Sequence, residues 1–183
     1  MKILQLSKFY PPILGGIELV EKMITKAHCS LKDEVFIVAF KQKNENFSQT
    51  GEFGELIEWI NLDIKLKSAP FNLSFISQFR AYIKENKIER IYVHLPNPFM
   101  HELVRFNRKF LNKNRVEVVA VYHSDIINQK ILRFFYDKYF VKTADLYHKI
   151  IVSSDNLWRF SKVLTKLPAD KKTVIPFCSE GNM

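Results

Sequence analysis

Two kinds of hydrophobic spacing take turns along this chain, and their alternation sets the expected architecture. Residues 2–6, Lys2-Ile3-Leu4-Gln5-Leu6, alternate in a β-prone way and run into a loop containing Pro11, Pro12, Gly15 and Gly16. Over residues 17–30 the apolar positions Ile17, Val20, Ile24 and Ala27 recur at helical spacing, and the early Glu18 and Glu21 suit the positive end of a helix dipole. The apolar run from Val35 to Phe40 predicts a buried strand, the polar stretch from Lys41 to Glu55 a surface loop, and Leu56 to Leu62 a further strand. Asn72 or Ser74 can cap a helix that runs to about Asn86. From there the period repeats: strand Arg90 to Leu95, helix Pro98 to Asn112, strand Val116 to Tyr122, helix Ile126 to Val141, strand Lys149 to Val152. A last helix from Asp155 to Leu164 precedes a short strand from Thr173 to Pro176.

Strands that alternate with helices imply βαβ units and hence an α/β fold, a Rossmann-like doubly wound parallel sheet with helices on both faces. Such sheets take ligands at the carboxyl ends of their strands. The loops of interest are therefore Ser7 to Gly16, Pro96 to Pro98, His123 to Asp125 and Ser153 to Asp155.

Composition narrows the picture further. With 183 residues, 47% hydrophobic and 26% charged, the chain can bury one continuous core and is short for two, which excludes wholesale disorder and coiled coils. The longest apolar runs fall well short of the roughly 20 residues that span a bilayer. The N-terminal segment lacks the apolar region and cleavage site of a signal peptide, so secretion is not expected. Cys29 and Cys178 are too few for a disulfide framework and read as free thiols in a reducing cytoplasm. A net charge of +9 favours anionic partners: nucleic acid, a nucleotide-bearing substrate, or membrane headgroups.

The loops hold the candidate chemistry. Gly15 and Gly16 stand between the first strand and first helix, where bare amides can approach a diphosphate or simply make a turn. Neither G-x-G-x-x-G nor a G-K-[ST] motif is present. His94 and His123 each fall near the carboxyl end of a strand and could share a crevice, or each could be a satisfied structural group. No third ligand at zinc spacing accompanies them, and no metal is expected. In His123-Ser124-Asp125 three polar groups emerge from the tip of a buried strand, where sugar hydroxyls or a reacting oxygen would be met. Ser153-Ser154-Asp155 reads as an N-cap. Phe134, Phe135, Tyr136, Tyr139 and Phe140 lie among Lys130, Arg133, Lys138 and Lys142, which is either core packing or an interfacial membrane patch. Arg105, Arg108, Lys109 and Lys113 add a basic face on the preceding helix.

The order of these motifs resembles the N-terminal domain of GT-B glycosyltransferases of the large retaining group called family 4. The resemblance is carried by Phe9-Tyr10-Pro11-Pro12 leading to Gly15-Gly16-Ile17-Glu18, by Val93-His94-Leu95-Pro96-Asn97-Pro98, by Tyr122-His123-Ser124-Asp125-Ile126, by Val152-Ser153-Ser154 and by Val174-Ile175-Pro176. It implies a Rossmann-like acceptor-side domain over residues 1–176. Residues 177–183 would begin the interdomain linker or end a truncated piece, and the C-terminal donor domain, with its Glu pair, would be missing. By resemblance, Gly15 and Gly16 match the loop that closes on the donor diphosphate, and His123 the catalytic histidine of the cleft. His94, Asn97, Ser124 and Asp125 are then expected to line the acceptor cleft. The lysine-bearing loop of glycogen and starch synthases would need Lys where Ile13 stands, so an enzyme of bacterial polysaccharide or lipopolysaccharide assembly is the nearer pattern.

The resemblance thus implies a cytoplasmic enzyme on the inner face of the plasma membrane. It would move a hexose, with retention, from a nucleoside diphosphate sugar to a glycan or lipid-linked acceptor, with an anionic membrane surface as partner and neither cofactor, metal nor nucleic acid. Two rivals remain at this point: a basic module that binds membranes or nucleic acid without catalysis, and a nucleotide-binding oxidoreductase domain.

Overall fold

The computed structural model describes residues 1–13, 15–41, 49–61, 64–66, 69–125 and 130–177, with the backbone alone described at 64–66, 69–71, 73 and 130–135. In chain order the elements are β1 (Lys2–Leu6), α1 (Gly16–Ser30), β2 (Glu34–Phe40), β3 (Leu56–Ile60), β4 (Ile64–Leu66), β5 (Ala69–Phe71) and α2 (Leu73–Glu85). There follow β6 (Arg90–Leu95), α3 (Pro98–Phe106), α4 (Arg108–Lys113), β7 (Glu117–Tyr122), α5 (Lys130–Thr143), β8 (Lys149–Val152), α6 (Asp155–Phe160) and β9 (Lys172–Val174). Among the described residues β3-β2-β1-β6-β7-β8-β9, in that order, form one seven-stranded parallel sheet. The doubly wound α/β expectation describes the molecule.

Strand alternation divides the core in two. Leu4, Leu6, Phe36, Val38, Ile91, Val93, Val118, Ala120, Ile150 and Val152 share one cluster with Phe79, Leu103, Leu111, Phe140 and Trp158 from α2 to α6. The opposite face offers Ile3, Tyr92, Val119, Val121 and Ile151 to Ile24 of α1. Among the described residues that face is therefore covered by one helix, and the other by five.

Three of the helices that return to the sheet end in the same way. After α1, α2 and α4 the chain passes through Lys32, Lys87 and Arg115 with φ of 63°, 53° and 55°. The next amide in each case, from Asp33, Ile88 and Val116, reaches back to the carbonyls of His28, Ile83 and Leu111 at 3.0 Å. This is the left-handed closure usually built on glycine, and the absence of glycine hid it from the sequence.

Several boundaries differ from expectation for local reasons. The helix expected from Pro98 to Asn112 is two, because the Asn107 amide donates to the Leu103 carbonyl at 2.8 Å and its oxygen accepts from Arg80 Nε at 2.7 Å. The helix expected to reach Leu164 stops at Phe160, because Ser161 is extended and its hydroxyl oxygen accepts from the amides of Val163 and Leu164. Of the two candidate caps for α2, Asn72 accepts from the Phe75 amide at 2.7 Å. The β4–β5 hairpin was not anticipated. The loop after β2 is not wholly solvated: Glu55 is buried, taking hydrogen bonds from Tyr10 Oη at 2.8 Å and the Phe53 amide at 2.9 Å. Leu62, Ile126 and Cys178, where expected elements or the linker fall, lie outside the described residues.

Candidate active site

From β1 the chain moves to one side of the sheet for β2 and β3, then crosses to the other for β6. A crevice opens at such a switch point above the carboxyl ends of β1 and β6. Parallel register places Gln5 opposite Tyr92 and His94 opposite Val121. Gln5, His94 and, two residues beyond Val121, His123 therefore come to the α1 face in sequence. The His123 amide donates to the Leu95 carbonyl at 3.1 Å, which carries the ladder one residue past β7.

These side chains are joined. Gln5 Oε1 lies 2.8 Å from His94 Nε2, and His94 Nδ1 lies 3.1 Å from His123 Nε2. Gln5 Nε2 donates to Thr25 Oγ1 at 2.6 Å and to the Glu21 carbonyl at 3.4 Å, and Thr25 Oγ1 donates to that same carbonyl at 3.0 Å. Tyr10 Oη, 3.0 Å from Thr25 Oγ1, continues the chain to Glu55. The Glu21 carboxyl is wholly buried, with one oxygen 3.6 Å from His94 Nδ1 and, among the described residues, neither oxygen in a hydrogen bond. Ser7 Oγ beside it is also buried, with no hydrogen-bond partner among the described residues. Glu21, which suits the positive end of the α1 dipole, lies on the buried face of that helix.

Burial sets the charge of this network. Desolvation, reinforced by Glu18, pushes the Glu21 carboxyl well above the usual carboxylate range, against a smaller opposing effect of Ser7. It likewise holds His94 well below the ordinary imidazole value, with His123 adding to the effect, and lowers His123 to about 4. At neutral pH both rings are uncharged. His123 is half-buried, its ring stacked on His94 with centroids 5.3 Å apart and tilted against Phe177 at 5.8 Å.

The glycines lie at the start of α1. Gly15 is the N-cap, extended and exposed, and offers no side chain to the first turn; Gly16 is the first helical residue. The loop expected to contain both thus ends one residue earlier than supposed. A Cβ on Gly15 would meet a Glu18 carboxylate oxygen at 2.2 Å, whereas one on Gly16 would meet nothing within 4 Å. The helix start is open, with amides that can serve an anion.

Other expected cleft residues are placed differently. His94 is 3% exposed, so it stands behind His123 and not in the cleft wall. Asn97 is 2% exposed and caps α3, its Oδ1 accepting from the Met100 amide at 3.3 Å while Nδ2 is buried without a partner. Asp125 is turned toward the opposite layer and accepts from Tyr122 Oη at 2.8 Å, Ser161 Oγ at 2.6 Å and the Lys162 amide at 3.2 Å. Ser124 is exposed beside His123. Ser154 caps α6 as expected, accepting from the Leu157 amide at 3.1 Å. Gln5 and Thr25, which the sequence reading passed over, carried one faint signal: Gln5 is a polar residue between Leu4 and Leu6 in an otherwise apolar strand.

Among the described residues no three His, Cys, Asp or Glu side chains converge as a metal site. What the arrangement offers is a neutral imidazole and an open helix N-terminus at the same end of the sheet. Together these suit a ligand with hydroxyls and an anionic group.

A family model described as Glycosyltransferase Family 4 matches residues 14–177. The chain is 33% identical over 124 residues to the D-rhamnosyltransferase WbpZ of Pseudomonas aeruginosa, covering 68% of this chain and 30% of that protein. It is 30% identical over 181 residues to O-antigen chain mannosyltransferase C of Escherichia coli, covering 97% of this chain and 46% of that protein. The chain spans less than half the length of each of these relatives. The crystal structure of Anabaena HepE in complex with UDP and glucose superposes with a TM-score of 0.57 at 17% identity, over 96% of this chain and 44% of that one. That likeness is one of fold.

Proposed function

The chain belongs to glycosyltransferase family 4, and from that premise we propose that it is the acceptor-side half of a retaining hexosyltransferase of surface polysaccharide assembly. The donor is a nucleoside diphosphate sugar and the acceptor a glycan or lipid-linked saccharide. The names of the two relatives favour mannose or rhamnose as the sugar. The observation that carries the reading is the pairing, at one sheet end, of the open α1 start at Gly16 with the half-buried ring of His123.

In this mechanism the amides at Gly15 and Gly16 meet the donor diphosphate when a second domain closes over the cleft. The departing phosphate assists the incoming hydroxyl on the same face of the sugar. His123, held neutral by its burial, orients and polarises a hydroxyl and does not serve as a strong base. Ser124 flanks the acceptor path. No metal takes part.

The enzyme works on the inner face of the plasma membrane. Phe106 is 66% exposed with Arg105 stacked over its ring at 4.2 Å, and the exposed Lys109 and Lys113 follow on α4. Basic residues near an anionic surface contribute roughly 1 kcal/mol each. Of the aromatic residues expected to join them, Phe140 is core, Tyr139 is exposed, and the side chains of Phe134 and Phe135 lie outside the described set.

The test is transfer by the intact protein from UDP- and GDP-linked mannose, rhamnose and glucose to a lipid-linked acceptor, with chelator present and the product anomer read by NMR. Transfer with retained configuration supports the reading. An inverted product, or transfer abolished by chelator, overturns the mechanism. Absence of transfer from every donor overturns the assignment.

A further inference from the structure

With both rings neutral, as their burial requires, the geometry fixes the direction of the hydrogen-bond chain behind His123. The Glu21 carbonyl can only accept, so the Gln5 group that faces it at 3.4 Å and faces Thr25 Oγ1 at 2.6 Å is the amide NH2. Thr25 has spent its own proton on that carbonyl. Gln5 Oε1 is then the atom 2.8 Å from His94 Nε2, and that nitrogen must carry the proton of a neutral His94. His94 Nδ1 is left as an acceptor, and the atom 3.1 Å away, His123 Nε2, must donate to it. A neutral His123 that donates from Nε2 has an unprotonated Nδ1. Among the described residues no hydrogen-bond partner takes that Nδ1.

We propose that Gln5 and His94 are positioning residues that lock His123 in its Nε2–H tautomer, so that Nδ1 faces the cleft as a hydrogen-bond acceptor for a sugar hydroxyl. The acceptor role rests on the glycosyltransferase reading above; the tautomer lock rests on the hydrogen-bond geometry and on burial that keeps both rings neutral. A neutral ring with its tautomer unset would present a donor or an acceptor by turns, and a hydroxyl that must be polarised needs the acceptor. The lock runs from the first strand through the sixth to the tip of the seventh, so it forms only when the sheet is assembled. One other charge distribution fits the same atoms. Glu21 is the carboxyl that faces His94, 3.6 Å from Nδ1. Were Glu21 ionised and His94 doubly protonated, His123 Nε2 would become the acceptor and Nδ1 the donor, the opposite polarity at the cleft. Burial of both groups without a hydrogen bond to the carboxylate opposes that pair.

The two polarities are separable by long-range proton–nitrogen NMR of the histidine rings in the chain as it stands, labelled with 15N and held at pH 7. The expected spectrum shows both His94 and His123 with Nε2 protonated and Nδ1 unprotonated. His123 protonated at Nδ1, or His94 protonated at both nitrogens, would overturn the proposal without any variant being made. In Gln5→Met, which keeps volume but removes the acceptor, the His123 nitrogen shifts should move toward the average of two exchanging tautomers. Unchanged His123 shifts in a variant whose remaining spectrum is native would also refute the lock. Because this measurement needs no substrate, its failure leaves the transferase reading untouched. A failed transfer assay with the expected spectrum refutes that reading and leaves the lock standing.

Discussion

Gly16 is the residue at which absence of a side chain carries most meaning. Its neighbours leave room for a Cβ, with nothing within 4 Å, so the fold itself does not require glycine there. Gly16→Val should accordingly leave the urea midpoint of this chain almost unchanged, within about 0.5 kcal/mol, as for surface substitutions generally. In the intact enzyme it should cut turnover by roughly 10²-fold, the scale of losing one preorganised donor at a reacting anion. Near-normal turnover would remove the glycines from the mechanism. Asp125 is the converse case. It resembled a cleft residue, but its oxygens take the protons of Tyr122, Ser161 and the Lys162 amide. Asp125→Ala leaves the buried Tyr122 hydroxyl without an acceptor and should cost about 1–3 kcal/mol in denaturant unfolding. A neutral result would mean that the tie between the β7 tip and the end of α6 is not needed for stability.

At the scale of elements, three helices close through left-handed Lys32, Lys87 and Arg115. A non-glycine residue pays roughly 1–2 kcal/mol to sit there, partly offset because glycine loses more backbone freedom on folding. Arg115 is exposed, so Arg115→Gly should stabilise the chain by about 0.5–1 kcal/mol in a thermal or urea melt; destabilisation would show that its side chain does more than follow the turn. The split between α3 and α4 belongs to the same scale. Helical periodicity runs unbroken through Asn107, and the break arises only because Arg80, from α2, supplies the amide with a second partner.

For the whole molecule, burial of uncharged histidines couples folding to pH. His94 is held well below the ordinary value and His101 and His123 are lowered to about 4, in each case chiefly by desolvation. In the unfolded chain these rings titrate near 6.5, so between that pH and about 4 the unfolded state binds more protons and stability must fall as pH falls. Glu21, raised by burial, acts in the opposite sense above its unfolded value: it favours the fold as pH falls toward about 4.5. Three groups against one leave a net loss, and the melting temperature should drop from pH 6.5 to pH 4. His101 bonds Tyr147 Oη and Thr143 Oγ1 at 2.7 and 2.9 Å, and His101→Gln should flatten that slope; a flat wild-type profile would contradict the burial account. The proposed division between an acceptor-side and a donor-side domain has its own measurement. Titration of this chain with UDP, GDP and their sugars should give affinity no tighter than about 1 mM, or −4.1 kcal/mol, and tight binding would place a donor site within residues 1–183.

How much of this was legible follows from the range of the forces involved. Hydrophobic periodicity is a local property, and it predicted the seven strands of the parallel sheet, though not the β4–β5 hairpin, because each of those strands must bury its own face. The motif order around Gly15, Gly16 and His123 placed these residues at one end of the sheet, where they lie, for the same reason: loops after strands gather where the strands end. What each polar residue does there was decided by partners distant in sequence. Gln5 meets His94 across 89 positions and Asp125 meets Ser161 across 36, and no spacing rule distinguishes a cleft carboxylate from one that ties two loops. Register and burial settle that Asp125 is anchored, that His94 stands behind His123, and that Glu21 faces inward. A hydrogen-bonding side chain is defined by where its partners lie, and for this chain those positions exist only once β1, β6 and β7 have come together.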